Sequence, residues 1–250
     1  MKDSKFNQYC RSIILLGIFF TAVACQAFDI AVSPQLEHSS PVYTVKGRNG
    51  FFLKQILTFG PYTTSKVKRG WIKSYNSPFM INFRGSSEKF SFTQYSKDSF
   101  AAEIFCLGKI NSIEYKPFSN FWGIPIEYEN TFSGSIFLDE NNYWDFIVNN
   151  PEAGIGQGQF ASSGYAKSNH GLRIEIMPIK KLSKGKNIMQ IANFGFEFYI
   201  NEKPIAAVST IDKGKVWIVK TIGPELEKAV ISLASAILLR SSIGENMTNQ

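Results

Sequence analysis

A short helix that is apolar on every side is the feature that most constrains this chain. It is predicted over 224–240, since Pro224 and Glu225 are typical of a helix start and Arg240 is typical of a helix end. Apart from two serines, Ala229–Leu239 is entirely apolar. A helix with no polar face must be buried on all sides. The run is too short to cross a bilayer, which takes about 20 residues, so the helix must be buried within the protein itself.

The chain before this helix has the pattern of strands and turns. Apolar and polar residues alternate in Phe90–Tyr95 and Leu172–Ile179, and Asn49-Gly50 between two apolar runs is a strong hairpin signal. The 22 Phe, 10 Tyr and 4 Trp among 250 residues also favour strands. A closed sheet larger than eight strands has room for a central helix. We therefore predict a mainly β fold, a closed β-barrel of about twelve antiparallel strands around a buried hydrophobic C-terminal helix.

The N-terminus has the pattern of a bacterial export signal. Three basic residues precede the apolar run Ser12–Ala24, which is long enough for a signal peptide and too short for a membrane span. The run ends in Ala22-Val23-Ala24-Cys25, which resembles the lipobox of bacterial lipoproteins, although Ala22 stands where that motif prefers Leu. In that family the cysteine thiol takes a diacylglyceryl group and cleavage falls before it. The resemblance implies a signal peptide over 1–24 and a lipid-anchored Cys25.

The rest of the chain is divided accordingly. Residues 25–40 are predicted to be an extended tether, 41–241 a single barrel domain that includes the helix, and 242–250 a tail. Gln26 after the cysteine, rather than Asp, indicates the outer membrane by the sorting rule of proteobacterial lipoproteins. The alternative is ordinary cleavage after Ala24 or Ala27, which would give a soluble secreted or periplasmic protein.

The charge of the chain argues against nucleic acid as a partner. Removing the signal lowers the formal net charge from +7 to +5, and an exported protein rarely meets nucleic acid. Basic residues form two clusters that could contact anionic headgroups, although exposed strand faces and turns are the simpler interpretation. The clusters are Lys66, Lys68 and Arg69 with Lys73, and Lys180, Lys181, Lys184 and Lys186.

No catalytic, metal or cofactor motif is recognisable. The mature chain has two histidines, His38 and His170. Neither lies at metal-ligand spacing from the other, or from a Cys or an Asp. Cys106 lies in an apolar stretch, so a buried inert thiol is expected. We predict a protein that is not an enzyme and needs no cofactor. A hydrolase using a carboxylate pair such as Glu127 and Glu129, or Asp139 and Glu140, is a weaker alternative, which a facing pair of carboxyls with raised pKa values would favour.

The tryptophans offer one further alternative. Most are expected to pack in the core or at strand edges, but Trp122 lies between predicted strands and could stack on a ligand. A carbohydrate- or peptide-binding module using Trp122 and the Gly- and Ser-rich segment 149–170 is therefore the second functional hypothesis.

The C-terminal part of the chain resembles the tubby C-terminal-like superfamily, which includes LURP-one-related proteins and phospholipid scramblases. The likeness covers Phe194–Arg240, where GFEFYINEKPIAAVSTIDKGKVWIV is similar to the final hairpins of that superfamily and ELEKAVISLASAILLR to its helix. The mature chain also resembles an uncharacterised group of predicted bacterial lipoproteins. The resemblance implies a barrel around a helix and carries over no site residue. The first functional hypothesis is a membrane-anchored envelope lipoprotein with a binding or scaffolding role that includes a lipid contact.

Overall fold

The computed structural model describes residues 29–48, 55–70, 86–110, 131–149, 164–183 and 194–244. These residues form two helices and thirteen strands. In chain order they are α1 (Pro34–Ser39), β1 (Val42–Thr44), β2 (Thr58–Phe59), β3 (Tyr62–Thr64), β4 (Lys68–Arg69), β5 (Ser86–Ser96), β6 (Ser99–Ile110), β7 (Thr131–Phe137), β8 (Tyr143–Asn149), β9 (Gly164–Ser168), β10 (Arg173–Ile179), β11 (Gly195–Ile200), β12 (Lys203–Ser209), β13 (Lys215–Ile218) and α2 (Pro224–Gly244).

The strands form one antiparallel sheet that closes on itself. The order is β1-β13-β12-β11-β10-β9-β8-β7-β6-β5-β3-β2, and β4 continues the line of β3 along β5. The two outer strands of this order then meet, because the N–H of Lys46 donates to the carbonyl of Thr58 at 2.9 Å and the reverse bond measures 3.1 Å. The described strands thus occupy twelve positions around a barrel, which confirms the predicted fold class.

Helix α2 fills the centre of the barrel. Every residue from Ala229 to Leu239 is buried, with no more than 2% of its surface exposed. These residues pack against the inward side chains of the strands, including Phe90, Ile104 and Phe146. The apolar surface that the helix cannot expose to water is therefore covered by the wall of the barrel, as the sequence predicts.

The barrel has two different ends, which we name by the course of α2. At the entry end, the first turn of α2 contacts the connections between strands: Tyr62 donates to Glu227 at 2.9 Å and Asn142 donates to Glu225 at 2.7 Å. At the exit end, Arg240 lies over the ring of Phe132, near the start of β7, at 5.1 Å. Because consecutive strands are antiparallel, the connections between them alternate between these two ends.

Short turns join the strands at the entry end. Lys97 and Asp98 connect β5 to β6, and Asn201 and Glu202 connect β11 to β12. All four residues have positive φ, between 48° and 63°. Two-residue loops with both residues in this region twist in the same sense as the strands they join, which favours a tight hairpin. In contrast, β10 ends and β11 begins at the exit end, where residues 210–214 also connect β12 to β13.

Two sequence predictions differ from the structure. The helix continues to Gly244 instead of ending at Arg240, since the intervening residues include neither glycine nor proline. Residues 29–40 are not an extended tether: they include α1, and Ile30 and Leu36 are buried. Apolar residues in this segment find a partner surface on the outside of the barrel, which sequence patterning could not anticipate.

Within the described part of the chain, neither helix has the length and hydropathy that crossing a membrane requires.

Candidate functional site

A row of neighbouring strand ends defines one side of the exit end. Ile179 pairs with Gly195, Gly195 with Ser209, Ser209 with Lys215, and Lys215 with Thr44. The ends of β10, β11, β12, β13 and β1 therefore lie side by side. The described residues that directly follow or precede these strand ends are thus at one edge of the barrel.

Lysines are concentrated at this edge. Lys180 and Lys181 follow β10, Lys213 lies in the turn between β12 and β13, and Lys46 follows β1. All four are exposed, and we call them the basic rim. The described acidic residues of the same edge are Asp29 and Asp212, and the carboxylate of Asp29 lies 2.6 Å from the ammonium group of Lys215.

The N-terminal segment is bonded to the chain beside Lys180 and Lys181. The N–H of Ser183 donates to the carbonyl of Asp29 at 2.9 Å, and the N–H of Ala31 donates to the carbonyl of Lys181 at 2.9 Å. Ile30 and Leu182 form an antiparallel bridge between these two bonds. Residues 29–31 therefore pair with residues 181–183 as a short added strand at the basic rim.

A buried carboxylate on the barrel wall holds the same segment. Glu197, on β11, is 7% exposed and accepts a hydrogen bond of 2.6 Å from the N–H of Ser33. Tyr199 donates its hydroxyl proton to the other oxygen of this carboxylate. Burial, and then the contact with Glu197, raise the pKa of Tyr199, so the hydroxyl is retained as a donor. Ile30 and Leu36 pack against Trp217 in a separate hydrophobic cluster outside the barrel.

This arrangement leaves little chain between the wall and the predicted lipid site. Cys25 lies outside the described residues, and Asp29 is four residues after it. Four residues span at most about 14 Å when fully extended. A lipid on Cys25 would therefore lie within about 14 Å of the point where the chain joins the barrel, next to the basic rim.

The structure does not bring the two predicted basic clusters together. Lys66, Lys68 and Arg69 are exposed and lie on or beside β4, which occupies the position of β3 in the ring. That position is six strands away from β10 in either direction, so it faces the opposite side of the barrel from Lys180 and Lys181. Arg69 is also engaged locally, because it donates to Gln55 and lies 5.2 Å from the ring centre of Phe90.

The entry end differs in charge from the basic rim. Its exposed or half-buried charged residues are of both signs and nearly balanced among the described residues: Asp98, Asp139, Glu140, Glu202, Glu225 and Glu227 against Lys97, Lys167, Arg173, Lys203, Lys220 and Lys228. The two ends of the barrel would therefore respond differently to a charged surface.

One carboxyl group on the wall has a perturbed pKa. Burial raises the pKa of Asp145 to about 6, and the hydrogen bond donated by Ser135 opposes that rise. The residue across from Asp145 on β9 is Lys167, not a second carboxylate. Asp139 and Glu140 lie in the exposed turn that precedes β8, whereas Asp145 is on the strand itself. The facing carboxyl pair that would favour a hydrolase is therefore not formed by these three acids.

The other chemically reactive groups of the described residues are also dispersed. Cys106 is completely buried on β6, and its burial raises the pKa of the thiol well above its ordinary value. His38 is on α1 and His170 is in the turn between β9 and β10. No three His, Cys, Asp or Glu residues in the described ranges are grouped so that they could share a metal ion.

Several predicted residues lie outside the described residues: Cys25, Lys73, Trp122, Glu127, Glu129, Lys184 and Lys186. Of the tryptophans that are described, Trp144 and Trp217 are each 4% exposed, in agreement with the core interpretation. Sequence reasoning missed Lys46 and Lys213 as neighbours of Lys180, and it missed Glu197 as the anchor of the N-terminal segment. No sequence pattern indicates these contacts, because residues distant in sequence are brought together only by the order of the strands.

The chain matches no protein-family model, no curated protein and no solved structure.

Proposed function

We propose that this protein is a lipoprotein of the bacterial cell envelope, anchored through a lipid on Cys25 and placed in the outer membrane. The observation that carries the proposal is the apolar run Ser12–Ala24 followed directly by Cys25. Two or more acyl chains on one residue anchor a protein stably, whereas a single chain gives only marginal binding. The attachment of Asp29 and Ala31 to the barrel would then leave a short link between the lipid site and the folded domain.

The barrel itself is proposed to act by binding or scaffolding and not by catalysis. The dispersed positions of Cys106, Asp145 and His170 support this interpretation, because general acid–base or nucleophilic catalysis needs such groups within hydrogen-bond reach of one another. We also propose membership of the tubby C-terminal-like superfamily. That assignment depends on the sequence likeness over Phe194–Arg240.

The anchoring proposal is tested by the variant Cys25→Ser. Cells are grown with radiolabelled palmitate, and the protein is then isolated and fractionated into membrane and soluble pools. We expect the variant to lose the label and to leave the membrane fraction. Cys10→Ser is the matched control, because Cys10 would be removed with the signal peptide, and it should retain both label and membrane association.

Of the two measurements, incorporation of the palmitate label, and not membrane localisation, decides whether Cys25 carries a lipid. A Cys25→Ser protein whose signal is not cleaved would remain on the membrane without carrying a lipid, so localisation alone does not separate the cases. Palmitate incorporation that persists in Cys25→Ser, or is absent from the unmodified protein, would contradict the proposal.

A further inference from the structure

We propose that the basic rim docks on anionic lipid headgroups and holds the barrel in one orientation, with its exit end on the membrane and its entry end directed away. This inference rests on the proposed anchoring through Cys25. It goes beyond that anchoring because it specifies which surface of the barrel contacts the bilayer and what chemistry it recognises there. The basic rim, as defined above, is Lys46, Lys180, Lys181 and Lys213.

The first argument is the position of the link to the lipid. The chain leaves the described structure at Asp29, whose carbonyl is bonded to Ser183 and whose carboxylate is paired with Lys215 at the exit end. With at most about 14 Å of chain between Asp29 and Cys25, this edge cannot move far from the membrane surface. A tether of sixteen extended residues, as the sequence alone predicted for 25–40, would have imposed no such constraint.

The second argument is charge. The basic rim places four exposed ammonium groups on adjoining strand ends, where the lipid link already brings them close to the headgroups. Each basic side chain near an anionic surface contributes favourably within about 10 Å at moderate ionic strength. Because the lipid supplies the encounter, even a weak attraction acts at a high effective concentration. Lys66 and Lys68, on the opposite side, do not share this advantage.

The third argument is that the two ends of the barrel would interact differently with an anionic membrane. The entry end carries acidic and basic residues in nearly equal number among those described, so an anionic surface would attract it far less than the basic rim. Helix α2 has 21 residues and runs between the two ends, so an entry-end residue is about 30 Å farther from the bilayer when the exit end is docked. Orientation is therefore measurable with a probe that senses contact with headgroups.

The test uses the full lipidated protein in vesicles containing zwitterionic lipid with or without anionic lipid, and a collisional quencher attached to the headgroups. A fluorophore is placed at the exit end through Ser183→Cys or at the entry end through Asn141→Cys, both exposed positions. The native thiol of Cys106 is fully buried and so remains unlabelled. On anionic vesicles we expect strong quenching of the exit-end label and little quenching of the entry-end label.

Matched charge variants identify the residues responsible. The pair Lys180→Gln and Lys181→Gln should reduce the difference between the two labels on anionic vesicles to that seen on zwitterionic vesicles or lower, as should high salt. The pair Lys66→Gln and Lys68→Gln removes the same charge from the opposite side and should leave the difference intact. Equal quenching of both labels on anionic vesicles would overturn the inference, and so would an equal response to the two pairs of variants.

Flotation of the same vesicles separates this outcome from failure of the proposed function. A protein that does not float with zwitterionic vesicles lacks its anchor, which contradicts the anchoring through Cys25. A protein that floats but quenches equally at both ends is anchored without a preferred orientation, which contradicts the docking of the basic rim alone.

Discussion

A buried hydrogen bond joins the middle of α2 to the barrel wall, and it gives the sharpest prediction about the fold. Ser235 donates to the side-chain oxygen of Gln94 at 2.7 Å, and both residues are 0% exposed. The amide nitrogen of Gln94 donates to the carbonyls of Thr63 and Tyr95 at 3.0 and 3.1 Å. Ser235→Ala would therefore leave a buried carbonyl oxygen without its donor. A group left in this way costs about 1–3 kcal/mol of unfolding free energy.

Alanine is also the better helix former, which returns a few tenths of a kcal/mol, so we expect a net loss of about 1–2 kcal/mol. This loss of unfolding free energy is measured by urea unfolding, followed by the fluorescence of the buried Trp144 and Trp217. Gln94→Met removes the acceptor with a side chain of similar length, and the double variant should cost at least about 1 kcal/mol less than the sum of the single ones.

Ser232→Ala is the matched control for this experiment. Ser232 lies on the same helix and is equally buried, but its hydroxyl donates to the carbonyl of Lys228 within the helix, at 2.7 Å. Such a bond adds little to stability, so this substitution should be neutral to within about 0.5 kcal/mol. Equal losses for Ser232→Ala and Ser235→Ala, with no coupling between Ser235 and Gln94, would refute the position of α2 against β5.

Three further predictions concern the wall and the turns. Because the pKa of Asp145 is about 6 in the folded protein against 3.8 ordinarily, its contribution to stability is present below about pH 4 and lost as the pH rises through 6. Asp145→Asn should thus gain up to about 3 kcal/mol over the unmodified protein between pH 4 and 7, as measured by urea unfolding at each pH. Gly134→Ala should destabilise by more than about 2 kcal/mol in thermal unfolding, since its Cβ would lie 2.3 Å from the carbonyl oxygen of Phe105, whereas Gly223→Ala, with open space around it, should not. Glu202→Gly should stabilise by about 1 kcal/mol in the same assay, because Glu202 has a φ of 63°, and an unchanged melting temperature would contradict this turn geometry.

The fold class was predictable because two periodicities in the sequence agree. Alternation in segments such as Phe90–Tyr95 indicates strands, and the wholly apolar Ala229–Leu239 indicates a helix that something must surround. Only a closed sheet satisfies both. The two-residue geometry of the turn at Asn201-Glu202 was not predictable in the same way, because it depends on backbone angles that composition does not specify.

The candidate site was predictable only in part. The lysines at 180 and 181 are visible as a local charge cluster, but Lys46 and Lys213 join them through strand order, over long separations in sequence. The packing of residues 29–40 was missed for a related reason. A segment with proline, serine and isolated apolar residues resembles a linker until a wall with a buried Glu197 and Trp217 is available to bind it.

The most direct test of the anchoring claim is the mass of the N-terminal peptide from protein isolated out of the membrane fraction. We predict a chain that begins at Cys25 and carries a diacylglyceryl group on the thiol with a further acyl group on the amino terminus. An unmodified chain that begins at Cys25, or one that begins at Phe28 after cleavage at Ala27, would contradict it.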